Sequence, residues 1–167
     1  NGKWLMTSAD GKVVESSNLG ATWQQVSQGG SAVESFTASS LSSPTSGFVD
    51  GANGAIYRYT SGNLTAESSG TTANLNAVID NGSWAMAVGD NANIVKNSGG
   101  GWNLQSTGTT ADLSDVAFVN SQIGYVCGKG GTVLKTINGG LTWSNSMPPG
   151  VEVNFTSIEV KGNDTAW

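Results

Sequence analysis

The sequence predicts an all-β chain built from four-stranded antiparallel sheets, repeated about four times along its length. Three observations carry this. First, one phrase recurs. Gly131-Thr-Val-Leu-Lys-Thr-Ile-Asn-Gly-Gly-Leu-Thr-Trp143 has a near relative running from Gly11 to Trp23. A worn copy runs from Ala92 to Trp102, and a copy without its tryptophan from Gly54 to Leu64. Second, the copies start at 11, 54, 92 and 131, a period of roughly 40 residues. Third, the apolar residues come in short bursts separated by Gly, Ser, Thr and Asn, the pattern of short strands and tight turns. Four short strands per period of that size is the mark of a β-propeller blade.

Each period resolves into four runs. The first strand is Leu113 to Phe118, matched by Leu75 to Ile79, Phe155 to Val160 and, more loosely, Val33 to Ala38. Large apolar residues alternate in these runs, as in a strand with one buried face. The second strand is Gly124-Tyr-Val-Cys-Gly128, matched by Trp84 to Gly89, Gly47 to Gly51 and Trp4 to Ser8. The third is Thr132 to Thr136, matched by Lys12 to Glu15, Ala55 to Tyr59 and Asn93 to Lys96. The fourth begins near the tryptophan, at Thr142 to Ser146, Thr22 to Val26 and Trp102 to Gln105. Asn138-Gly139 falls between third and fourth strands, and Asp10-Gly11 and Asn53-Gly54 between second and third. These pairs tolerate the positive φ that tight hairpins require. Pro44, Pro148 and Pro149 fall in connecting segments, where a missing N–H costs no ladder bond.

The repeats run approximately over 1–30, 31–70, 71–109 and 110–150, and 151–167 starts a further blade, all within one domain or part of one. The chain opens on a second strand, at Asn1-Gly-Lys-Trp4, and closes on another, at Gly162 to Trp167. Three closures are open to such a chain. It is half of a seven- or eight-bladed ring, or two copies complete one ring as a homodimer, or it forms a small four-bladed ring sealed by its termini. No signal peptide is visible and no methionine leads the chain, so either a leader was removed or the segment was excised.

Composition narrows the chemistry. Histidine is absent and Cys127 is the only cysteine, so Cys–His pairs, Ser–His–Asp triads and His-based zinc sites cannot be built from this chain. No catalytic residue, metal site or cofactor is therefore assigned. Cys127 sits in an apolar strand and is expected to be a plain buried thiol. The net charge is −5, and the single arginine and six lysines are scattered, which argues against nucleic acid. No apolar stretch reaches the roughly 20 residues of a membrane span. Trp4, Phe48, Trp84, Tyr125 and Trp167 sit in second strands near one equivalent position and are expected to pack between blades. Sequons occur at Asn63, Asn154 and Asn163.

The phrase Gly-x-x-Leu-Lys-Thr-x-Asn-Gly-Gly-x-Thr-Trp, following Gly-Tyr-Val-Cys-Gly-Lys-Gly, resembles the repeats of photosystem II assembly factors of the Ycf48 type. It is also similar to the BNR or Asp-box repeat of sialidases and secreted propellers. The box aspartate is Asn18 in one copy and Asn138 in another. In that motif the polar side chain ties its own turn, which asparagine can also do. Sialidase chemistry would demand an arginine cluster, and only Arg58 exists. The repeat, the acidic low-charge composition and the missing catalytic sets lead to the expectation of a non-enzymatic binding or assembly scaffold outside the cytoplasm (secreted, periplasmic, on a cell surface or on a virion), holding a protein or glycan partner. Two alternatives stand beside it: part of a glycan-active enzyme whose catalytic groups lie elsewhere, and a purely structural spacer.

The candidate binding residues follow from position in the repeat. Turns between second and third strands lie on one face near the channel, and here they are expected to carry Asp10, Asp50, Asp90 and, in the fourth copy, Lys129. Three carboxylates around a shared mouth would attract a cation or a basic peptide segment. The plainer role of aspartate before glycine is turn formation.

Overall fold

The computed structural model describes residues 2–28, 34–161 and 165–166. They form consecutive antiparallel sheets, each packed against the next. The first blade holds three strands, β1 (Trp4–Thr7), β2 (Val13–Ser16) and β3 (Gln24–Gln25), followed by β4 (Ser27–Gln28). The second blade is β5 (Phe36–Ser43), β6 (Ser46–Gly51), β7 (Ile56–Thr60) and β8 (Asn63–Glu67). The third is β9 (Leu75–Asp80), β10 (Ala85–Gly89), β11 (Ile94–Asn97) and β12 (Trp102–Leu104). The fourth is β13 (Leu113–Phe118), β14 (Gly124–Gly128), β15 (Val133–Thr136) and β16 (Ser144–Asn145). A last pair, β17 (Val160–Lys161) and β18 (Thr165–Ala166), begins another sheet.

Within each complete blade the strands pair in chain order, first to fourth, the β-meander expected from short tight turns. The strands expected from apolar alternation are found to within a residue or two at most positions. β5 lies later than expected, and two segments differ in their pairing. The segment from Phe155 to Ile158 is not in a ladder; it is fastened to the fourth blade by Phe155 N–H on Gly128 O at 3.0 Å and by Ile158 N–H and Ser157 Oγ on Asp115 Oδ2. A full first strand needs a full second strand beside it, and β18 pairs with β17 over only two positions. The other difference is β4, which leaves the first blade and pairs in parallel with β8, through Ser27 with Asn63 and Gln28 with Leu64. Val33, Asn163 and Trp167 lie outside the described residues.

Strand register shows which residues are equivalent. Met6 pairs with Val14, Val49 with Tyr57, Ala87 with Val95, and Val126 with Leu134. A fixed glycine anchors the register in the complete blades. At Gly51, Gly89 and Gly128 a Cβ would stand 2.1, 1.9 and 2.1 Å from the carbonyl oxygens of Ser35, Asn74 and Asp112. There the first strand bulges against the second. The next residue's N–H then donates to that same carbonyl, from Ala52, Asp90 and Lys129 at 2.8, 2.9 and 2.9 Å. No larger residue allows so close an approach of two backbones.

The core is divided into three apolar layers, one between each pair of neighbouring blades. Val13 and Val26 of the first blade meet Phe36, Val49, Tyr57 and Tyr59 of the second. Phe48 and Ile56 meet Ala85, Ala87, Val95 and Trp102. Met86, Val88 and Ile94 meet Val116, Val126 and Leu134. Each fully buried aliphatic side chain contributes roughly 1.5–3 kcal/mol, so the layers, and not the isolated sheets, hold the molecule. Cys127 is buried as expected, and burial pushes its thiol up to about 11.

Second-strand aromatics do not share one position. Phe48 and Tyr125 are equivalent, with Leu5 and Met86 in the other blades, and they face the following blade. Trp4 instead matches Gly47, Ala85 and Gly124, facing the preceding side, and Trp84 stands ahead of β10. The cross-strand partners Arg58 and Lys135 lie over the Phe48 and Tyr125 rings at 4.6 and 5.5 Å, a cation–π contact of about 0.5–1 kcal/mol.

Candidate functional site

The turns between second and third strands gather on one face, next to the segments that lead into the first strands. Their bonding differs from what the spacing of aspartates suggested. Counting from the register glycine, Ala52, Asp90 and Lys129 are equivalent; Ser8 takes the glycine's place in the first blade, so Asp10 matches Asn53 and Asn91. Asp50 precedes the glycine and lies within β6, at the position of Val88 and Cys127. The four candidate residues therefore occupy three different places, and only Asp10, Asp90 and Lys129 stand on the turns.

Each of those three is engaged. Asp10 is exposed, accepts from the Ser8 hydroxyl and pairs with Lys12 Nζ at 3.2 Å. The Ser8 hydroxyl and then the Lys12 ammonium hold its carboxyl below the ordinary carboxylate range. Asp90 accepts from Asn74 Nδ2 at 2.9 Å and Asn76 Nδ2 at 3.0 Å. Lys129 Nζ meets Asp112 Oδ2 at 2.7 Å. That lysine, followed by the Asn91 N–H, holds Asp112 low, and Asp112 in turn raises Lys129.

Asp50 is different in kind. It is wholly buried, on the face that packs against the third blade. Its Oδ1 accepts from Ala38 N–H at 3.0 Å, and its Oδ2 has no hydrogen-bond partner. Loss of hydration pushes this carboxyl up to about 8.

A second set of residues on this face was not singled out from the sequence. Asn53 N–H donates to Asn74 Oδ1 at 3.1 Å, Asn91 N–H to Asp112 Oδ1 at 2.9 Å, and Gly130 N–H to Asn154 Oδ1 at 3.0 Å. The turns of the second and third blades are latched by the residue just ahead of the next blade's first strand, and that of the fourth by Asn154, just ahead of Phe155 in the segment fastened to that blade. The signal was present as Asn74-Leu75, Asp112-Leu113 and Asn154-Phe155, an Asx side chain before a large apolar residue, with Ser35-Phe36 at the remaining equivalent place.

The opposite face carries the turns between third and fourth strands. Asn18 and Asn138 each close their turn in the same way. Asn138 Oδ1 accepts from Thr142 N–H at 3.0 Å and from Thr136 Oγ1 at 3.0 Å, and Nδ2 donates to Thr142 Oγ1 at 2.8 Å. Asn18 does so with Thr22 and Ser16 at 2.9, 2.9 and 2.8 Å. Here the polar side chain serves the turn itself. The following tryptophans diverge: Trp102 is buried and donates from Nε1 to Glu67 Oε2 at 2.8 Å across the blade interface, while Trp23 is 37% exposed.

Among the described residues no group of three or more His, Cys, Asp or Glu side chains could hold a metal ion, and no helix is long and apolar enough to cross a membrane. Arg58, the single arginine, is held by Glu67 at 2.5 Å.

Comparison with known proteins follows the fold. A YCF48 bound to a D1 peptide is similar along 99% of this chain and 56% of its own, with a TM-score of 0.72 and 19% identity. YCF48 from Cyanidioschyzon merolae is similar along 97% of this chain and 59% of its own, with a TM-score of 0.71 and 17% identity. An ancestral GH74 enzyme is similar along 87% of this chain and 22% of its own, with a TM-score of 0.70 and 19% identity. At these identities the likeness is one of fold, and the chain spans little more than half the length of the two YCF48 structures. No curated protein sequence matches it. The sequence model of the photosynthesis system II assembly factor YCF48 matches residues 70–167, more than half of the chain, and the chain belongs to that family.

Proposed function

We propose that this chain is a non-enzymatic scaffold, acting outside the cytoplasm, that holds an extended segment of a protein partner on the face bearing its second-to-third-strand turns. The observation that carries the reading is how the ionisable groups on that face are used. Asp10, Asp90 and Asp112 tie turns or pair with a lysine, which leaves a rigid rim of backbone and polar groups and no free acid–base pair. Beside the carboxylates of Asp10, Asp90 and Asp112 stand the cations Lys12 and Lys129, and Glu34 lies next to the Asn53–Gly54 turn. Such a balance suits a peptide carrying basic residues. A relative solved with a D1 peptide supports a protein ligand over a glycan. The glycan-active alternative rests on fold alone, and Arg58 is already committed to Glu67 and to the Phe48 ring.

The test is a titration of labelled peptides by fluorescence anisotropy, using a D1 peptide and lysine-bearing peptides of the same length. Saturable binding is expected, weakened roughly three- to tenfold in the Asp10→Asn, Asp90→Asn double variant and reduced by added salt. Absence of binding to every peptide, or binding indifferent to both substitutions, would sink the assignment of this face.

A further inference from the structure

One cleft on the turn face carries chemistry that the repeat does not need. It opens between the segment leading into β5, the turn at Asn53-Gly54 and the connection over residues 68–72, and holds about 630 Å³. A cleft in the equivalent place precedes the fourth blade, where it holds about 320 Å³ between residues 107–109, the turn at 130–132 and Trp143. The walls of that second cleft bear no ionisable group.

Tyr57 and Glu34 set the first cleft apart. By strand register Tyr57 takes the place of Val14, Val95 and Leu134. Glu34 precedes Ser35, whose carbonyl meets the register glycine, so it takes the place of Ala73 and Ala111. Blade packing therefore asks for neither a phenol nor a carboxylate here. Tyr57 is only 8% exposed, and its ring stands edge-on to Phe36 with centroids 5.3 Å apart. It lines the cleft, and its hydroxyl, neither bonded nor sealed from solvent among the described residues, faces the opening. Burial first, and then the Glu34 carboxylate, raise this phenol above its ordinary value, so the two groups lie within reach of each other's charge. Glu34 itself is half-buried and has no ion pair or hydrogen bond among the described residues. The other carboxylates differ: Asp10, Asp90 and Asp112 are engaged, and Glu67 across the cleft holds Arg58 and Trp102. A free carboxylate beside a buried, unbonded hydroxyl is an incomplete set of acceptors for one cation with several N–H donors.

We propose that this cleft is the pocket for a lysine side chain of the bound segment, its ammonium donating to the Glu34 carboxylate and the Tyr57 hydroxyl oxygen. The methylene stem lies against Ala55 and Ala66 of the cleft wall. An ammonium turns its three donors freely toward two separate acceptors, whereas a planar guanidinium fixes them in one fork. The inference rests on the reading of this face as the one that holds a peptide, and it names the side chain that the face selects.

Fluorescence anisotropy tests this with the lysine-bearing peptides, each lysine replaced in turn by norleucine, which keeps the stem and removes the ammonium. One replacement should weaken binding to the wild-type chain roughly five- to tenfold. Glu34→Gln should weaken binding of the parent peptide by a similar factor and make that replacement indifferent. Tyr57→Phe should weaken it about two- to threefold. Glu34→Gln binding every peptide as the wild type does overturns the pocket, and it leaves the face itself in place so long as the Asp10→Asn, Asp90→Asn variant still binds less well. If no peptide binds, the assignment of the face fails and the cleft is tested alone. N-acetyl-lysine amide is then titrated against the Tyr57 ring signals in NMR spectra, identified by their loss in Tyr57→Phe. A saturable shift that disappears in Glu34→Gln supports the pocket, and no shift overturns it.

Discussion

Asp50 is wholly buried in the layer between the second and third blades, in a place where other repeats put Val88 or Cys127. Its folded-state value of about 8 lies above the ordinary 3.8. Below that ordinary value both folded and unfolded chains hold the proton, and the carboxyl carries no ionic penalty. Between the two values only the folded chain holds it, so stability declines as pH rises, by roughly 1.4 kcal/mol per pH unit, and levels off above the folded value. Asp50→Asn keeps an acceptor for Ala38 N–H and removes the titration. Denaturant unfolding from pH 4 to 9 should show the variant gaining on the wild type across this window. Parallel curves would mean that the carboxyl is not protonated in the fold. The sequence hid this role because Asp50 precedes Gly51 as Asp10 precedes Gly11. What separates them is the backbone approach of Gly51 to the Ser35 carbonyl, which ends β6 after Asp50 and not before it. Such an approach leaves no trace in hydropathy.

At the level of elements, most strands were legible because alternation of apolar residues has a direct physical cause, one buried face per side of the sheet. The second and third strands of the complete blades, and the first strands β9 and β13, are found close to where that alternation puts them, whereas β5 lies later than expected. Less legible was everything set by partners instead of pattern. The parallel pairing of β4 depends on an edge offered by β8, and the latches from Asn74, Asp112 and Asn154 depend on a neighbouring turn. The turn closed by Asn138 lies between these cases, since its motif is visible and its bonds follow from it. Asn138→Ala removes the acceptor for Thr142 N–H and should cost about 1.5 kcal/mol in urea unfolding. Asn138→Asp retains that acceptor and should stay within about 0.5 kcal/mol of wild type. Equal losses in the two variants would mean that the side chain's Nδ2 bond to Thr142, and not its oxygen, secures the turn.

For the molecule as a whole, the repeat implied a row of blades, and the structure adds how they are joined. Three separate apolar layers and a few polar ties, such as Trp102 to Glu67 and Tyr59 to Glu15, run from each blade to the next. Among the described residues no single core runs through all the blades. The layer between second and third blades is flanked by a blade on each side, whereas the first blade and β17 with β18 are each flanked on one side only among the described residues. In the 167-residue chain the sheets flanked by a described blade on both sides should therefore open last, as in other repeat arrays. Amide hydrogen exchange followed by mass spectrometry should find β6 and β10 slowest and β1 and β17 fastest, with β14 between. Uniform exchange in all sheets would show instead that the blades open together. A graded profile would make the polypeptide behave less like a lock with one bolt than like a zipper, where the time each amide keeps its proton records how many apolar layers cover its sheet.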